Sequence, residues 1–324
     1  MTDGVSETLP QHIVSSSPAA YDAVEKPSSL GPLDRVDVQC PTTLPALLSA
    51  TAEGRRPLAG GTDLLVGAIS TGRVKDPLVW TGGVRELLEV DAGRSPRIGA
   101  AAPMTHIVES PLRSAAPAVV DGARILGSVQ TRNVATIAGN LCNASPAADT
   151  IPGLVVHGAR VEVRSAARGI RTLTVPDFVL GPGRTSLGPD EVVTHVQLDA
   201  LEDGEGSCYR RFTVRRSMDL AFVGVAVRLR VDRDSGAITK ASIALGAVGP
   251  TVQLVDAAAG QLLDQPLTSH AIAAAADAAS RLCSPISDVR ASADYRRHLV
   301  RVLVREAIPV AHTRAFRSDR SRDD

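Results

Sequence analysis

Two stretches of the sequence hold residue types that could bind an anionic ligand. The first is Pro57, Leu58, Ala59, Gly60, Gly61, Thr62, Asp63 and Leu64, apolar residues running into a glycine pair, a hydroxyl and a carboxylate. Glycines let a backbone approach a ligand closely and turn its N–H groups toward it. A helix starting at Leu64 would add the favourable field of its N-terminus for a phosphate, and Thr62 offers a hydroxyl donor. Asp63 reads more simply as a cap for that helix. A tight strand-to-helix turn without any ligand accounts for the same residues.

The second stretch is Thr136, Ile137, Ala138, Gly139 and Asn140, followed by Leu141 to Asp149. Small residues, a hydroxyl, an amide and a carboxylate fall within 14 positions. Asp149 is suited to accept hydrogen bonds from sugar or ribityl hydroxyls. The alternative is an Asn- and Ser-rich loop that satisfies its own backbone. Two phosphate-friendly loops in one domain favour a nucleotide whose diphosphate lies between them.

Other chemistries lack support. There is no G-x-G-x-x-G and no G-x-x-x-x-G-K-[ST], no nucleophile elbow, and no conspicuous Cys–His or carboxylate pair. Cys40, Cys142, Cys208 and Cys283 lie 102, 66 and 75 residues apart. That spacing excludes a locally encoded iron–sulfur or zinc site, and so long a chain does not need a disulfide framework. Reduced, packed thiols are expected. The 7 histidines are scattered, so no metal site is expected. Arg215-Arg216 and Arg296-Arg297 read as exposed charges more readily than as anion sites.

These residues need elements to hold them. Residues 1–34, rich in Ser and Pro, show no period and read as a flexible extension. An α/β pattern follows: a short strand at 36–38, a helix at 43–52 capped by Thr42 or Thr43, a strand into the glycine turn at 57–63, and a helix at 64–69. Strands are expected at 78–80 and 97–101, and helices at 104–109 and 112–126. Gly127 to Asp149 reads as a loop wrapping a ligand. A helix at 150–157 then leads to strands at 160–164 and 192–198. Leu201 to Ser207, acidic and glycine-bearing, reads as a linker. Beyond it, strands at 209–214, 221–231 and 238–248 precede helices at 251–263, 269–282 and 291–307. This second unit reads as an antiparallel meander covered by three helices.

The chain has 324 residues, enough for about two domains, and 44% of them are hydrophobic. Its 35 basic and 35 acidic residues balance, which argues against a dedicated nucleic-acid binder. Aromatics at 2% leave little for base stacking. No apolar run reaches the roughly 20 residues a membrane span needs. Met1 to Glu7 has neither a cationic flank nor an apolar core, so no signal peptide is expected.

At the two loops the chain becomes similar to a known family. Leu58 to Leu65, Gln130 to Leu141 and Ser145 to Asp149 resemble the FAD-binding (medium) subunit of the molybdenum hydroxylases, which include xanthine and carbon monoxide dehydrogenases. Arg215-Arg216-Ser217-Met218-Asp219-Leu220-Ala221 resembles the family's R-R-x-x-D-I-A strand, and Ser292 to Leu299 its last-helix signature. These five segments occur in order, and the resemblance covers about 36–310.

The resemblance implies an α+β fold: a vanillyl-alcohol-oxidase-like FAD-binding domain of two subdomains at 35–203 and a small C-terminal domain of antiparallel sheet plus three helices at 204–310; beyond it a charged tail is expected at 311–324. It implies that Pro57 to Leu64 and Thr136 to Asn140 wall the FAD diphosphate and that Asp149 meets the ribityl or diphosphate region. Leu126 would pack on the cofactor, the Val193 main chain would touch it, and Arg211 would supply a basic contact. It also implies a large molybdopterin-binding partner, a small [2Fe–2S] partner, a dimer of heterotrimers, a terminal acceptor such as NAD or quinone, and a cytoplasmic location. No catalytic side chain and no metal are implied on this chain. Three positions depart from the family: Ala138 replaces a usual glycine, Leu126 an aromatic of some relatives, and Arg211 a lysine. Two other readings stay open, a self-sufficient FAD-dependent oxidoreductase and a non-catalytic nucleotide-binding scaffold.

Overall fold

The computed structural model describes residues 36–71, 76–215 and 218–317. The expected extension 1–34, Arg216 and Ser217 of the double-arginine motif, and 318–324 of the expected tail lie outside the described residues.

A small parallel sheet comes first, with β1 (Val38–Gln39), β2 (Arg56–Leu58) and β3 (Leu78–Trp80) in the order β1-β3-β2. Parallel neighbours require crossovers, and α1 (Leu44–Ala52) and α2 (Leu64–Thr71) supply them. Thr43 is the N-cap of α1, its Oγ1 accepting from the Ala46 N–H at 3.4 Å. Leu44, Leu47 and Ala50 bury one face of α1 with Val79, Val84 and Leu87.

The second layer is a five-stranded antiparallel sheet in the order β4-β5-β10-β6-β7. Its strands are β4 (Val90–Asp91), β5 (Arg97–Gly99), β6 (Arg160–Ser165), β7 (Gly169–Thr174) and β10 (Glu191–Gln197), and a separate hairpin joins β8 (Val179–Gly181) to β9 (Arg184–Thr185). In β10 a bulge falls between Val193 and His195. The sheet packs under α3 (Met104–Glu109), α4 (Leu112–Ala115), α5 (Pro117–Ile125), α6 (Val129–Arg132), α7 (Ile137–Asn143), α8 (Ile151–Val156) and α9 (Val175–Phe178) around one apolar core. The helix expected over 112–126 is two helices. The chain leaves the helical region at Ala116 (φ -146°, ψ 64°) before Pro117 opens α5, because the residue before a proline avoids the helical region. Gly127 to Asp149 is not one loop either: α6 and α7 lie within it, each N-capped by a hydroxyl, Ser128 and Thr136.

The third layer is an antiparallel meander, β11 (Glu205–Phe212), β12 (Val223–Val231), β13 (Ile238–Gly246) and β14 (Gln253–Leu254), with α10 (Asp256–Ala259), α11 (Ser269–Leu282) and α12 (Ala293–Arg317). Val223, Val225, Val227, Leu229 and Val231 face the core beneath those helices, as their alternation with Arg228 and Arg230 predicts. Ala226 and Ala244 point the other way, into the core of the second layer, where α5 and α8 pack on the meander. The expected linker is shorter than 201–207. Glu205, Gly206 and Ser207 belong to β11 and are buried, Glu205 in an ion pair with Arg228. A side chain at Gly206 would collide with the Ala311 carbonyl, so β11 lies directly on α12. That contact explains a second difference: the last helix continues past 310 to Arg317, with Ala311 and Ala315 buried against the meander. No helix among the described residues is long and apolar enough to cross a membrane.

Candidate functional site

The first glycine loop is held at both ends. The Leu58 carbonyl accepts from Thr81 Oγ1 at 3.3 Å, and the Gly61 and Asp63 carbonyls accept from the N–H groups of Leu65 and Gly67 at 2.9 Å each. Gly61 has a φ of +70°, a left-handed conformation that costs a non-glycine residue about 1–2 kcal/mol. Ala59, Gly60, Gly61 and Thr62 are half-buried, and Asp63 is exposed just before α2. A Cβ on Gly60 would overlap the Val134 carbonyl oxygen. The first loop therefore rests backbone-to-backbone on the segment that leads into the second.

Thr136 is the N-cap of α7, and its Oγ1 accepts from the Gly139 N–H at 3.0 Å. Ile137 and Ala138 are buried. Ala138 lies within the helix, outside the left-handed positions, so alanine here demands no unusual backbone. Gly139 is likewise helical; a Cβ on it would meet Ala59 Cβ at 3.6 Å and Thr136 Oγ1 at 3.1 Å. Asn140 Oδ1 accepts from Thr150 Oγ1 at 2.6 Å, tying α7 to the residue after Asp149.

Asp149 is buried and ion-paired with Arg211, also buried. Tyr209 donates its hydroxyl to Asp149 Oδ1 at 2.9 Å. Arg211 also donates to the Ile125 carbonyl at 2.8 Å, and Arg132 to the Leu126 carbonyl at 3.0 Å. Burial pushes the Asp149 carboxyl up to about 6, although Arg211 and Tyr209 pull it down. Burial, with the neighbouring carboxylate, holds the Tyr209 phenol well above its ordinary value, so it is a donor.

These contacts close into a ring. Gly60 touches Val134, Ala59 faces Gly139, Asn140 bonds Thr150, Asp149 pairs with Arg211, Arg211 reaches Ile125, and Arg132 ties Leu126 back to α6. All the expected site segments join it except Val193, which is buried in β10 beneath α7. Tyr209, Arg132 and the Val134 carbonyl join it without having been anticipated. Tyr209 had a signal: it lies two residues from Arg211 on one strand, hence on the same face. Val134 had none, since a carbonyl contact leaves no mark in residue type.

The donor set suits a dinucleotide. The first N–H groups of a helix lack intrahelical partners, and α2 and α7 begin at the two adjoining loops. Arg211 adds a cation. A carboxylate accepts about four hydrogen bonds, so Asp149 can take hydroxyls beyond its two protein donors. No nucleophile–base pair joins the ring. Of the cysteines, Cys40 and Cys142 are exposed and Cys208 and Cys283 buried. A cleft of about 1810 Å³ lies apart from the ring, lined by Asp121, Arg124, Arg160, Arg228 and Arg314 among others.

Residues 34–199 match the family described as the FAD binding domain in molybdopterin dehydrogenase, and residues 207–310 match the CO dehydrogenase flavoprotein C-terminal domain. The carbon monoxide dehydrogenase medium chain of Hydrogenophaga pseudoflava is 30% identical over 271 residues, covering 83% of this chain and 93% of that one. The nicotine 6-hydroxylase medium subunit of Paenarthrobacter nicotinovorans is 33% identical over 271 residues, covering 82% and 93%. Among solved structures, quinoline 2-oxidoreductase from Pseudomonas putida 86 superposes with a TM-score of 0.80 at 25% identity, covering 87% of this chain and 98% of that one.

Proposed function

Because the chain belongs to the FAD-binding medium subunits of the molybdopterin dehydrogenases, oxidoreductases in which this subunit's cofactor is FAD, we propose that it is the electron-transfer subunit of a multi-subunit molybdenum hydroxylase. It would stand between the [2Fe–2S] clusters of a small partner and a terminal acceptor such as NAD or quinone, with substrate oxidised on a large molybdopterin-binding partner. A cytoplasmic dimer of heterotrimers is the assembly this reading favours. It assigns 35–203 to the FAD-binding domain and 204–310 to the C-terminal domain.

One observation carries the reading: two glycine loops in backbone contact, closed into a ring by the buried Asp149–Arg211 pair. Bound FAD would supply the conversion between one- and two-electron transfer. The chain's own residues then have binding and orienting roles. N–H groups of the 57–64 and 136–140 loops would hold the diphosphate. Asp149 would accept from ribityl hydroxyls, Arg211 would keep Asp149 ionised and fix the end of α5, and Leu126 would pack against the ring system. Val193 would contribute main chain from β10. None of these residues need donate or remove a proton from substrate.

Denaturing the purified chain and weighing what it releases tests the assignment. Intact FAD, one per chain, is expected. FMN would overturn the diphosphate role of the two loops, and flavin retained on the polypeptide would overturn non-covalent binding.

A further inference from the structure

The second oxygen of the Asp149 carboxylate faces Arg211, and the first faces a residue to which no role has been given. Tyr209 is buried, and its hydroxyl lies 2.9 Å from Asp149 Oδ1. The ring has a prepared place: a Cβ on Gly224 of the neighbouring strand would collide with the phenol oxygen. The Tyr209 main chain is also anchored, its N–H donating to Asp121 Oδ2 at 3.1 Å, and Arg314 of α12 holds the same carboxylate oxygen at 2.6 Å. Tyr209 and Arg211 thus project from one face of β11 onto the two different oxygens of Asp149.

We propose that Tyr209 is a positioning residue of the cofactor site: with Arg211 it fixes the plane of the Asp149 carboxylate so that its remaining lone pairs are left for a polyol such as the ribityl chain of FAD. This rests on the assignment of Asp149 to the cofactor site. A carboxylate held at one oxygen can swing about its Cβ–Cγ bond; donors at both oxygens remove that freedom. The hydroxyl also favours the ionised form, which accepts at both oxygens and donates at neither. The groups facing Asp149 are the charged Arg211 and the titratable but neutral Tyr209; Asp121, paired with Arg314, reaches only the Tyr209 main chain.

The test is FAD titration of the full chain stripped of flavin, followed by flavin fluorescence across pH, for wild type, Tyr209→Phe, Asp149→Asn and the double variant. Tyr209→Phe should bind FAD about tenfold more weakly at pH 7.5, the loss expected for one charge-assisted hydrogen bond. Its affinity should also begin to fall at a higher pH than in wild type, because Asp149 loses a group that favours its charged form. The double variant should be no weaker than Asp149→Asn. Wild-type affinity and pH profile in Tyr209→Phe, with Asp149→Asn weakened, overturn the positioning role and leave the site intact. Wild-type affinity in both single variants removes Asp149 from the site and the proposal with it. Additive losses in the double variant mean that Tyr209 acts apart from Asp149 and also overturn it.

Discussion

The Gly60 backbone lies against the carbonyl of Val134, so closely that no side chain fits between them. This contact joins the two glycine loops, and it separates glycines that look alike in sequence. Gly60 is fixed by packing, Gly61 by its φ of +70°, and Gly139 by proximity to Ala59 and Thr136.

Gly60→Ala should therefore be the most damaging of the three alanine substitutions. It forces the loops apart, and FAD content should fall to near zero with a lower melting temperature. Gly61→Ala should cost about 1–2 kcal/mol through backbone strain. Gly139→Ala should fold normally, since its helical backbone accepts alanine, with a partial loss of flavin. Flavin content per chain and thermal melts check the order.

Asp149 links stability to pH. Its carboxyl, near 3.8 in a model peptide, is raised to about 6 in the folded chain, chiefly by burial. The folded state therefore binds the extra proton more tightly than the unfolded one. That contribution is fully present below the unfolded value and is lost as pH rises through about 6. In flavin-free protein, Asp149→Asn should gain stability relative to wild type at pH 8 compared with pH 4, by roughly 3 kcal/mol. Arg211→Met leaves the buried carboxylate without its cation and should cost roughly 3–5 kcal/mol at pH 8. Urea unfolding at both pH values reads each difference.

His157 works in the opposite direction. It ends α8 fully buried, its Nδ1–H donating to the Asp199 carbonyl at 3.0 Å and its Nε2 accepting from Ser207 Oγ at 2.8 Å. Ser207 Oγ in turn accepts from the Ala118 N–H at 3.1 Å. Burial, aided by Arg228, lowers the imidazole to about 4. A depressed folded value means stability is fully present above the unfolded value near 6.5 and falls as pH drops toward 4. His157→Gln should flatten the acid limb of the unfolding curve between pH 6.5 and 4 by roughly 3 kcal/mol. An unchanged acid limb would show that His157 does not set it.

Much of the fold was legible because periodicity and punctuation agree. Thr43 with Pro45 marks the start of α1, and alternation from Val223 to Val231 marks β12. Two differences arise from tertiary contact overriding local composition. Glu205 looks like linker but is buried by Arg228, and Gly206 looks flexible but is a point where strand meets helix. Short capped helices escaped notice in 127–149 because four- and seven-residue helices show too little period. Among the site segments, the sequence marks Gly61, Thr136 and Asp149 by residue type, and Arg211 only through the family resemblance. It leaves unmarked the carbonyls of Val134, Ile125 and Leu126, which every residue possesses. Tyr209 could have been found from its two-residue spacing to Arg211.

The central claim is that this chain moves electrons and does not itself oxidise substrate. The direct measurement is substrate-dependent bleaching of the flavin absorbance, without oxygen, for the FAD-loaded chain alone and co-expressed with a molybdopterin subunit and a two-cluster iron–sulfur subunit. Purines, aldehydes and N-heterocycles serve as substrates. Bleaching is predicted only in the complex, and the lone chain should show at most exchange with NADH or an artificial acceptor. Oxidation of any of these substrates by the lone chain at ordinary enzyme rates, roughly 1–1000 per second, would contradict the account and make the chain a self-sufficient flavoenzyme.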